Sequence, residues 1–333
     1  MSENSSGKAS KKMMNFSSIG AQKLIIFLTL IVLIIIFTIL SPNFLLVDNI
    51  ISILLATCVN GLLALGVTFV IITGGIDLSI GTVMTFSAVI SGLCVTGLNL
   101  PLWLGSIICI LVGTIIGTLT GLMVSRLKIP AFIATLGVMM ITSGLSLVVT
   151  GARPVYFPSE YKEIAVGSLF GKLIPGFQLP NAVLILFIMA IIASIILNKT
   201  VMGRYNFAIG SNTEATRLSG VNVAGWLTGI HALAGAFFGI AGIIISSRLG
   251  SAQPAIGQGY ELEAIAAVVI GGTSLAGGQG TISGTIIGAF IMSVLTNGLR
   301  IVGVAQEWQT VVIGAVVILA VFIDTYRRKK QNI

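Results

Sequence analysis

Ten apolar stretches occupy most of the chain and leave little sequence for anything except membrane-crossing helices. They cover residues 21–40, 50–73, 77–97, 102–125, 130–150, 181–198, 223–247, 262–272, 281–299 and 308–323. Charged residues occur only at their edges, as Asp77 and Glu263 do. A helix needs about 20 apolar residues to cross the hydrocarbon core of a bilayer. The pattern predicts an all-α polytopic membrane protein with about ten transmembrane segments, of which 262–272 is the short one.

The distribution of charge predicts an orientation for these segments. Charged residues make up only 8% of the chain, against about 25% in soluble domains. If the N-terminus is cytoplasmic and the segments alternate, 13 of the 18 Lys and Arg residues lie on cytoplasmic segments. Cytoplasmic loops carry such an excess. We therefore expect both termini in the cytoplasm and the lipid bilayer as the surroundings. The net charge of +8 then belongs to the topology and predicts no nucleic-acid partner.

The segments outside the apolar stretches divide the chain further. Residues 1–18 are rich in Ser, Lys and Asn, which predicts a disordered cytoplasmic tail. Residues 19–325 form the predicted membrane domain, and residues 326–333 a basic cytoplasmic tail. Residues 151–180 are the longest outer loop and contain prolines and aromatics, a composition suited to receiving a partner. Residues 198–222 are the longest interior cytoplasmic loop.

One glycine pattern, G-G-x-x-L-[S/A]-x-G, occurs twice, at residues 74–81 and at residues 271–278, 197 residues apart. A Gly-Gly pair opens a helix and frees backbone groups, and interrupted helices at matching places in two halves indicate a transport pathway. The same offset relates the neighbouring apolar stretches and predicts two related halves, with about 130–198 inserted between them. Chance similarity among 40 glycines is the alternative. The residues predicted at the pathway are Gly74, Gly75, Asp77, Ser79, Gly271, Gly272, Thr273 and Ser274.

Asp77 lies at the first residue of the predicted span 77–97 and comes close to being a carboxylate within a span. Its position after Gly74 and Gly75 allows three alternative roles: capping the helix that follows, lining the pathway, or carrying protons as intramembrane carboxylates of coupled carriers do.

The long cytoplasmic loop contains a second motif, E-A-[A/T]-x-x-x-G, which begins at Glu214. Asn212 or Thr213 can cap a short helix there, Glu214 is favourable in its first turn, and Gly220 can end it. Such a helix between two spans is suited to transmitting force to a soluble partner. An ordinary capped connector is the alternative.

Other glycines recur every four residues. Gly113, Gly117 and Gly121 form one such series, and Gly235 and Gly239 form another. Small residues at this spacing let helix backbones approach closely in membranes. We expect close helix packing along these faces and no ligand site.

Taken in order, the motifs resemble the permease subunits of ATP-binding-cassette (ABC) importers for monosaccharides. The similarity is to the branch for ribose, xylose, galactose and autoinducer-2, closest to ribose permeases, and covers about residues 20–325. The blocks that carry it are residues 41–44, 73–79, 132–136, 214–220, 251–254, 259–269 and 271–278.

The resemblance implies a non-enzymatic subunit of the bacterial inner membrane. It implies that the chain forms a dimer with a second permease copy, that two copies of a cytoplasmic ABC ATPase bind inside, and that an extracytoplasmic sugar-binding protein delivers the cargo. It also makes the loop at residues 214–220 the ATPase-coupling helix. The residues assigned to that contact are Glu214, Ala215, Thr216, Arg217 and Gly220.

The sequence offers little support for other classes of protein. The phosphate-binding motif G-x-x-x-x-G-K-[S/T] is absent from it. Three cysteines and one histidine predict neither a metal site nor a cofactor. A membrane-embedded enzyme would need a cluster of catalytic side chains, and the sequence shows none. A secondary carrier would need carboxylates within the spans, and the sequence has them only at span edges. An importer of xylose, galactose, autoinducer-2 or a nucleoside remains the nearest alternative.

Overall fold

The computed structural model describes residues 23–173 and 178–331, and helices dominate them. The helices are α1 (Lys23–Leu40), α2 (Val47–Ile72), α3 (Ile80–Gly97), α4 (Leu102–Ser125), α5 (Ala131–Thr150), α6 (Leu169–Leu173), α7 (Asn181–Lys199), α8 (Val201–Ser211), α9 (Thr213–Leu218), α10 (Val223–Leu249), α11 (Tyr260–Ile270), α12 (Ile282–Ile301) and α13 (Gln306–Gln331). A 3-10 helix covers Ser159–Ile164, and two short strands are β1 (Val155–Tyr156) and β2 (Ser251–Ala252).

The architecture is the predicted all-α membrane protein. Within the described residues, nine helices are long and apolar enough to cross a membrane: α1 to α5, α7, α10, α12 and α13. The predicted short segment is α11, whose 11 residues extend about 16 Å, roughly half of the hydrocarbon thickness. The predicted tail at residues 1–18 lies outside the described residues. Helix α13 continues to Gln331, so residues 326–331 of the predicted basic tail are helical.

Helix α2 forms the centre of the fold. Every residue from Thr57 to Ile72 is buried, and the helix packs against α10, α12, α11 and α7. Helices α1 and α13 are different, because only 11% of the residues in the most apolar 18-residue stretch of each helix are buried. Apolar residues exposed on such peripheral helices are suited to contact with lipid.

Helices α4 and α10 pack backbone to backbone, as the glycine spacing predicts. A Cβ atom on Gly113 would overlap the carbonyl oxygen of Gly235, and a Cβ atom on Gly117 would overlap that of His231. A Cβ on Gly239 would lie 2.6 Å from the carbonyl oxygen of Cys109. The prediction of close packing along these faces is confirmed.

The predicted outer loop folds against the ends of α3 and α10. Strand β1 pairs antiparallel with β2, and Val155 lies opposite Ala252. The rings of Phe157 and Tyr161 stack with centroids 4.0 Å apart, and Ser247 of α10 donates a 2.6 Å hydrogen bond to the carbonyl oxygen of Tyr161. This part of the loop is therefore a fixed surface at the end of the helices.

Candidate translocation and coupling site

We call the two glycine motifs the first break (residues 74–81) and the second break (residues 271–278). The first break follows the end of α2. Gly74 has φ +83°, and its amide donates a 2.9 Å hydrogen bond to the carbonyl oxygen of Ile71. The amide of Gly75 donates to the carbonyl oxygen of Val70 at 3.2 Å. These two bonds define a Schellman motif, in which the residue after the helix cap takes a left-handed conformation that favours glycine.

The second break repeats this geometry after α11. Gly272 has φ +90°, and its amide donates a 2.9 Å hydrogen bond to the carbonyl oxygen of Val269. The amide of Thr273 donates to the carbonyl oxygen of Val268 at 3.1 Å. The two breaks therefore begin with the same helix-ending motif.

The hydrogen bonds align the two breaks differently from the sequence motif. The offset between equivalent residues is one residue longer than the 197 residues of the motif. Gly74 corresponds to Gly272, 198 positions later, because these two glycines have positive φ. Gly271 instead is the helix cap, with φ −64°. The sequence pattern aligns Gly74 with Gly271. The backbone conformation shows instead that Gly74 and Gly272 occupy the left-handed position of the Schellman motif.

Asp77 fixes the chain at the start of α3. Its Oδ1 atom accepts hydrogen bonds from the Ser79 amide at 2.8 Å and the Ser79 hydroxyl at 2.6 Å. The Asp77 side chain is only 3% exposed. Both bonds come from Ser79, the residue directly before α3, so Asp77 closes a turn ahead of the helix and accepts no hydrogen bond from an amide within it. The role of Asp77 among the three considered stays a prediction.

The second break has a partner in α13 that the sequence did not predict. The carboxylate of Asp324 accepts hydrogen bonds from the Ser274 hydroxyl at 3.3 Å and from the Leu275 amide at 3.4 Å. The only sequence signal is an acidic residue directly after the apolar stretch 308–323. Which loop it would contact follows only from the packing of α13 on α11 and α12.

The structure places the second glycine motif against the end of α2, and it buries most of the predicted pathway residues. The amide of Gly278 donates a 2.8 Å hydrogen bond to the carbonyl oxygen of Ile72, which joins the second break to the end of α2. Gly74 is exposed, and Gly75 and Gly272 are half-buried. The predicted pathway residues that are buried within the single chain are Asp77, Ser79, Gly271, Thr273 and Ser274. A lining role for all eight predicted residues stays a prediction.

The predicted coupling loop forms the short helix α9. The Asn212 side chain accepts a 2.9 Å hydrogen bond from the Ala215 amide, as an N-cap does. At the other end Gly220 has φ +84°, and its amide donates to the carbonyl oxygen of Arg217 at 3.0 Å. The predicted cap and the predicted terminating glycine are both confirmed.

The outward face of α9 is charged and partly apolar. Glu214 and Arg217 form an ion pair through two hydrogen bonds of 3.1 and 2.5 Å. The hydrogen bond from Arg217 and its positive charge lower the pKa of Glu214. Leu218 beside them is 76% exposed. Ala215 and Gly220 are also exposed, whereas Thr216 points inward and is buried.

Comparison with known proteins gives a family and several full-length relatives. The family model described as the permease component of branched-chain amino acid transport systems matches residues 49–321. The ribose import permease protein RbsC of Haemophilus influenzae is 41% identical over 92% of this chain and 94% of its own. RbsC of Bacillus subtilis is 41% identical over 93% and 94%. The xylose transport system permease protein XylH of Escherichia coli is 33% identical over 85% and 86%. No solved structure matches the chain at a significant level.

Proposed function

The chain belongs to the family of transport-system permease components, and from this premise we propose that it is the membrane-spanning subunit of an ABC importer for ribose. It translocates the sugar across the bacterial inner membrane and carries out no chemistry on it. A separate ATPase subunit supplies the energy.

The observation that carries the proposal is the identity of about 41% to ribose import permeases from two distant bacteria, extending over nearly the whole of both chains. The xylose permease is 33% identical over a somewhat smaller share. Among the cargoes considered, the difference favours ribose.

Helix α9 is the surface we assign to the ATPase. It presents Glu214, Arg217 and the apolar side chain of Leu218 to solvent, while Thr216 anchors it to the protein. An exposed apolar side chain beside a charge pair is suited to a groove on a protein partner. The fixed outer surface formed by β1 and β2 is the surface we assign to the binding protein.

A second copy of this chain completes the pathway in our proposal. Five of the predicted pathway residues are buried in the single chain, so cargo passes only when the two breaks move. The breaks present few charged or aromatic groups that could hold a polyol. Selectivity therefore resides in the binding protein, and the permease binds sugar weakly.

The cargo is tested with the complete importer in liposomes, supplied with ATP and with its sugar-binding protein. We expect uptake of labelled ribose that a tenfold excess of unlabelled ribose abolishes and that the same excess of xylose leaves nearly unchanged. Equal competition by xylose, or uptake of labelled xylose alone, would reject ribose as the cargo.

A further inference from the structure

Three backbone segments meet without intervening side chains at the end of α2. We name this contact the glycine junction and define it by Ile72, Gly210, Gly277 and Gly278. The Gly278 amide donates a 2.8 Å hydrogen bond to the carbonyl oxygen of Ile72. A Cβ atom on Gly210 would overlap that same carbonyl oxygen and lie 2.6 Å from the amide nitrogen of Gly278.

The second break is held against both other segments. A Cβ atom on Gly277 would lie 2.9 Å from the carbonyl oxygen of Gly210 and 2.9 Å from the amide nitrogen of Gly74. Gly277 and Gly278 have φ of +85° and +74°, a conformation that side chains rarely adopt. The contact thus requires glycine for two reasons, space and backbone conformation.

The place of the junction in the chain gives it mechanical significance. Gly210 lies in the last turn of α8, two residues before Asn212, which caps α9. Ile72 is the last residue of α2 and lies two residues before Gly74 of the first break. The junction is therefore a direct contact between the segment that carries α9 and both breaks.

Contacts made through backbone atoms transmit displacement with little loss, because no side-chain rotamer can change to absorb it. In addition, the carboxylate of Asp324 in α13 accepts hydrogen bonds from Ser274 and Leu275 of the same loop. The second break therefore contacts both α13 and the end of α8.

We infer that the glycine junction is the rigid link through which movement of α9 reaches both glycine breaks, with Gly210 as a positioning residue. The inference rests on the proposed coupling of α9 to an ATPase. In this account α8, the end of α2 and the second break move as one unit when the ATPase closes.

The first test is Gly210→Ala in the complete importer. The added methyl group must displace the Ile72 carbonyl or the second break. We expect normal assembly with the ATPase and continued ATP hydrolysis, while sugar transported per ATP hydrolysed falls at least tenfold. Gly137→Ala is the matched control, because a Cβ there would have no atom within 4 Å apart from its own helix backbone and chain neighbours. An assembled Gly210→Ala importer with an unchanged ratio would overturn the inference.

The second test leaves the junction unsubstituted and does not depend on how well Gly210→Ala folds. Hydrogen exchange at the amide of Gly278, which donates to the carbonyl oxygen of Ile72, is followed in the complete importer with and without trapped ATP. We expect the same protection of this amide in both states, because the segments move together. Loss of that protection in either state would overturn the inference.

The outcomes separate this inference from the proposed function. If variants of α9 such as Glu214→Lys uncouple the importer while Gly210→Ala does not, the link is wrong and the coupling role of α9 stands. If variants of α9 have no effect on coupling, the proposed assignment of α9 to the ATPase fails, and the inference fails with it.

Discussion

The amide of Gly278 donates a 2.8 Å hydrogen bond to the carbonyl oxygen of Ile72, across more than 200 residues of sequence. This bond joins the second break to the end of α2, which leads into the first break, and Gly210 packs against the same carbonyl from the segment that leads into α9. One backbone contact therefore connects the proposed ATPase surface with both halves of the proposed pathway.

Gly74 of the first break and Gly271 of the second should respond differently to substitution. A Cβ atom on Gly271 would lie 2.5 Å from backbone atoms of Gly284, whereas one on Gly74 meets nothing closer than 3.6 Å. Gly271→Ala should therefore lose about 1–3 kcal/mol of stability through overpacking, and Gly74→Ala only about 1 kcal/mol through backbone strain. Thermal unfolding in detergent compares the two variants, with Gly314→Ala as the control. Equal losses would show that the second break is not closely packed on α12.

Capping should matter more for α9 than for a long helix. Asn212 caps α9, which has six residues, and Asn222 caps α10, which has 27. Loss of an N-cap costs about 1 kcal/mol, and α9 has little other packing to offset it. Asn212→Ala should speed hydrogen exchange at residues 213–218 and reduce ATP-driven uptake several-fold. Asn222→Ala should leave that exchange unchanged. Similar exchange in both variants would contradict the capping role of Asn212.

The charge pair on α9 should serve a partner more than the fold. Exposed ion pairs contribute little to stability, and both side chains are about 65% exposed. Glu214→Lys should leave the amount of folded protein unchanged and weaken ATPase association at least tenfold. The swap Glu214→Arg with Arg217→Glu restores an internal pair but reverses the surface, so it should remain uncoupled. Recovery of uptake by the swap would assign the pair a purely internal role.

The pH dependence of this pair follows from its sign. Arg217 lowers the pKa of Glu214 below its ordinary value of 4.5. The small stabilisation is therefore fully present above pH 4.5 and is lost only as the pH falls through the lowered pKa. Hydrogen exchange of α9, corrected for intrinsic rates, should be constant from pH 5 to 7. A change in protection within that range would point to a different ionisable group.

Asp324 should restrain the second break. Asp324→Ala removes the acceptor for the Ser274 hydroxyl and the Leu275 amide, so exchange at residues 274–278 should rise. Uptake should fall several-fold, while the exposed Glu307→Ala on the same helix should change neither quantity. If Asp324→Ala exchanges and transports normally, the carboxylate contact is dispensable.

The sequence predicted the parts of this fold that depend on local chemistry. Apolar length gave the long helices and the shortness of α11, and capping rules gave Asn212 and Gly220 at the ends of α9. The sequence did not predict the contacts of Asp324 and Gly210. It also did not predict that Gly74 corresponds to Gly272, one residue away from the alignment of the sequence motif. Their importance arises from contacts between segments far apart in the chain, which apolar patterns leave undetermined. The pairing of β1 with β2 was missed for the same reason.

The proposal that this chain is the permease of an ATP-driven importer is tested most directly by reconstitution. Liposomes receive the chain alone, or the chain with its ATPase and its ribose-binding protein, and labelled ribose uptake is followed with and without ATP. We predict accumulation against a gradient only when all three proteins and ATP are present. Concentrative uptake by the chain alone, driven by a proton or sodium gradient, would contradict the account and identify a secondary carrier.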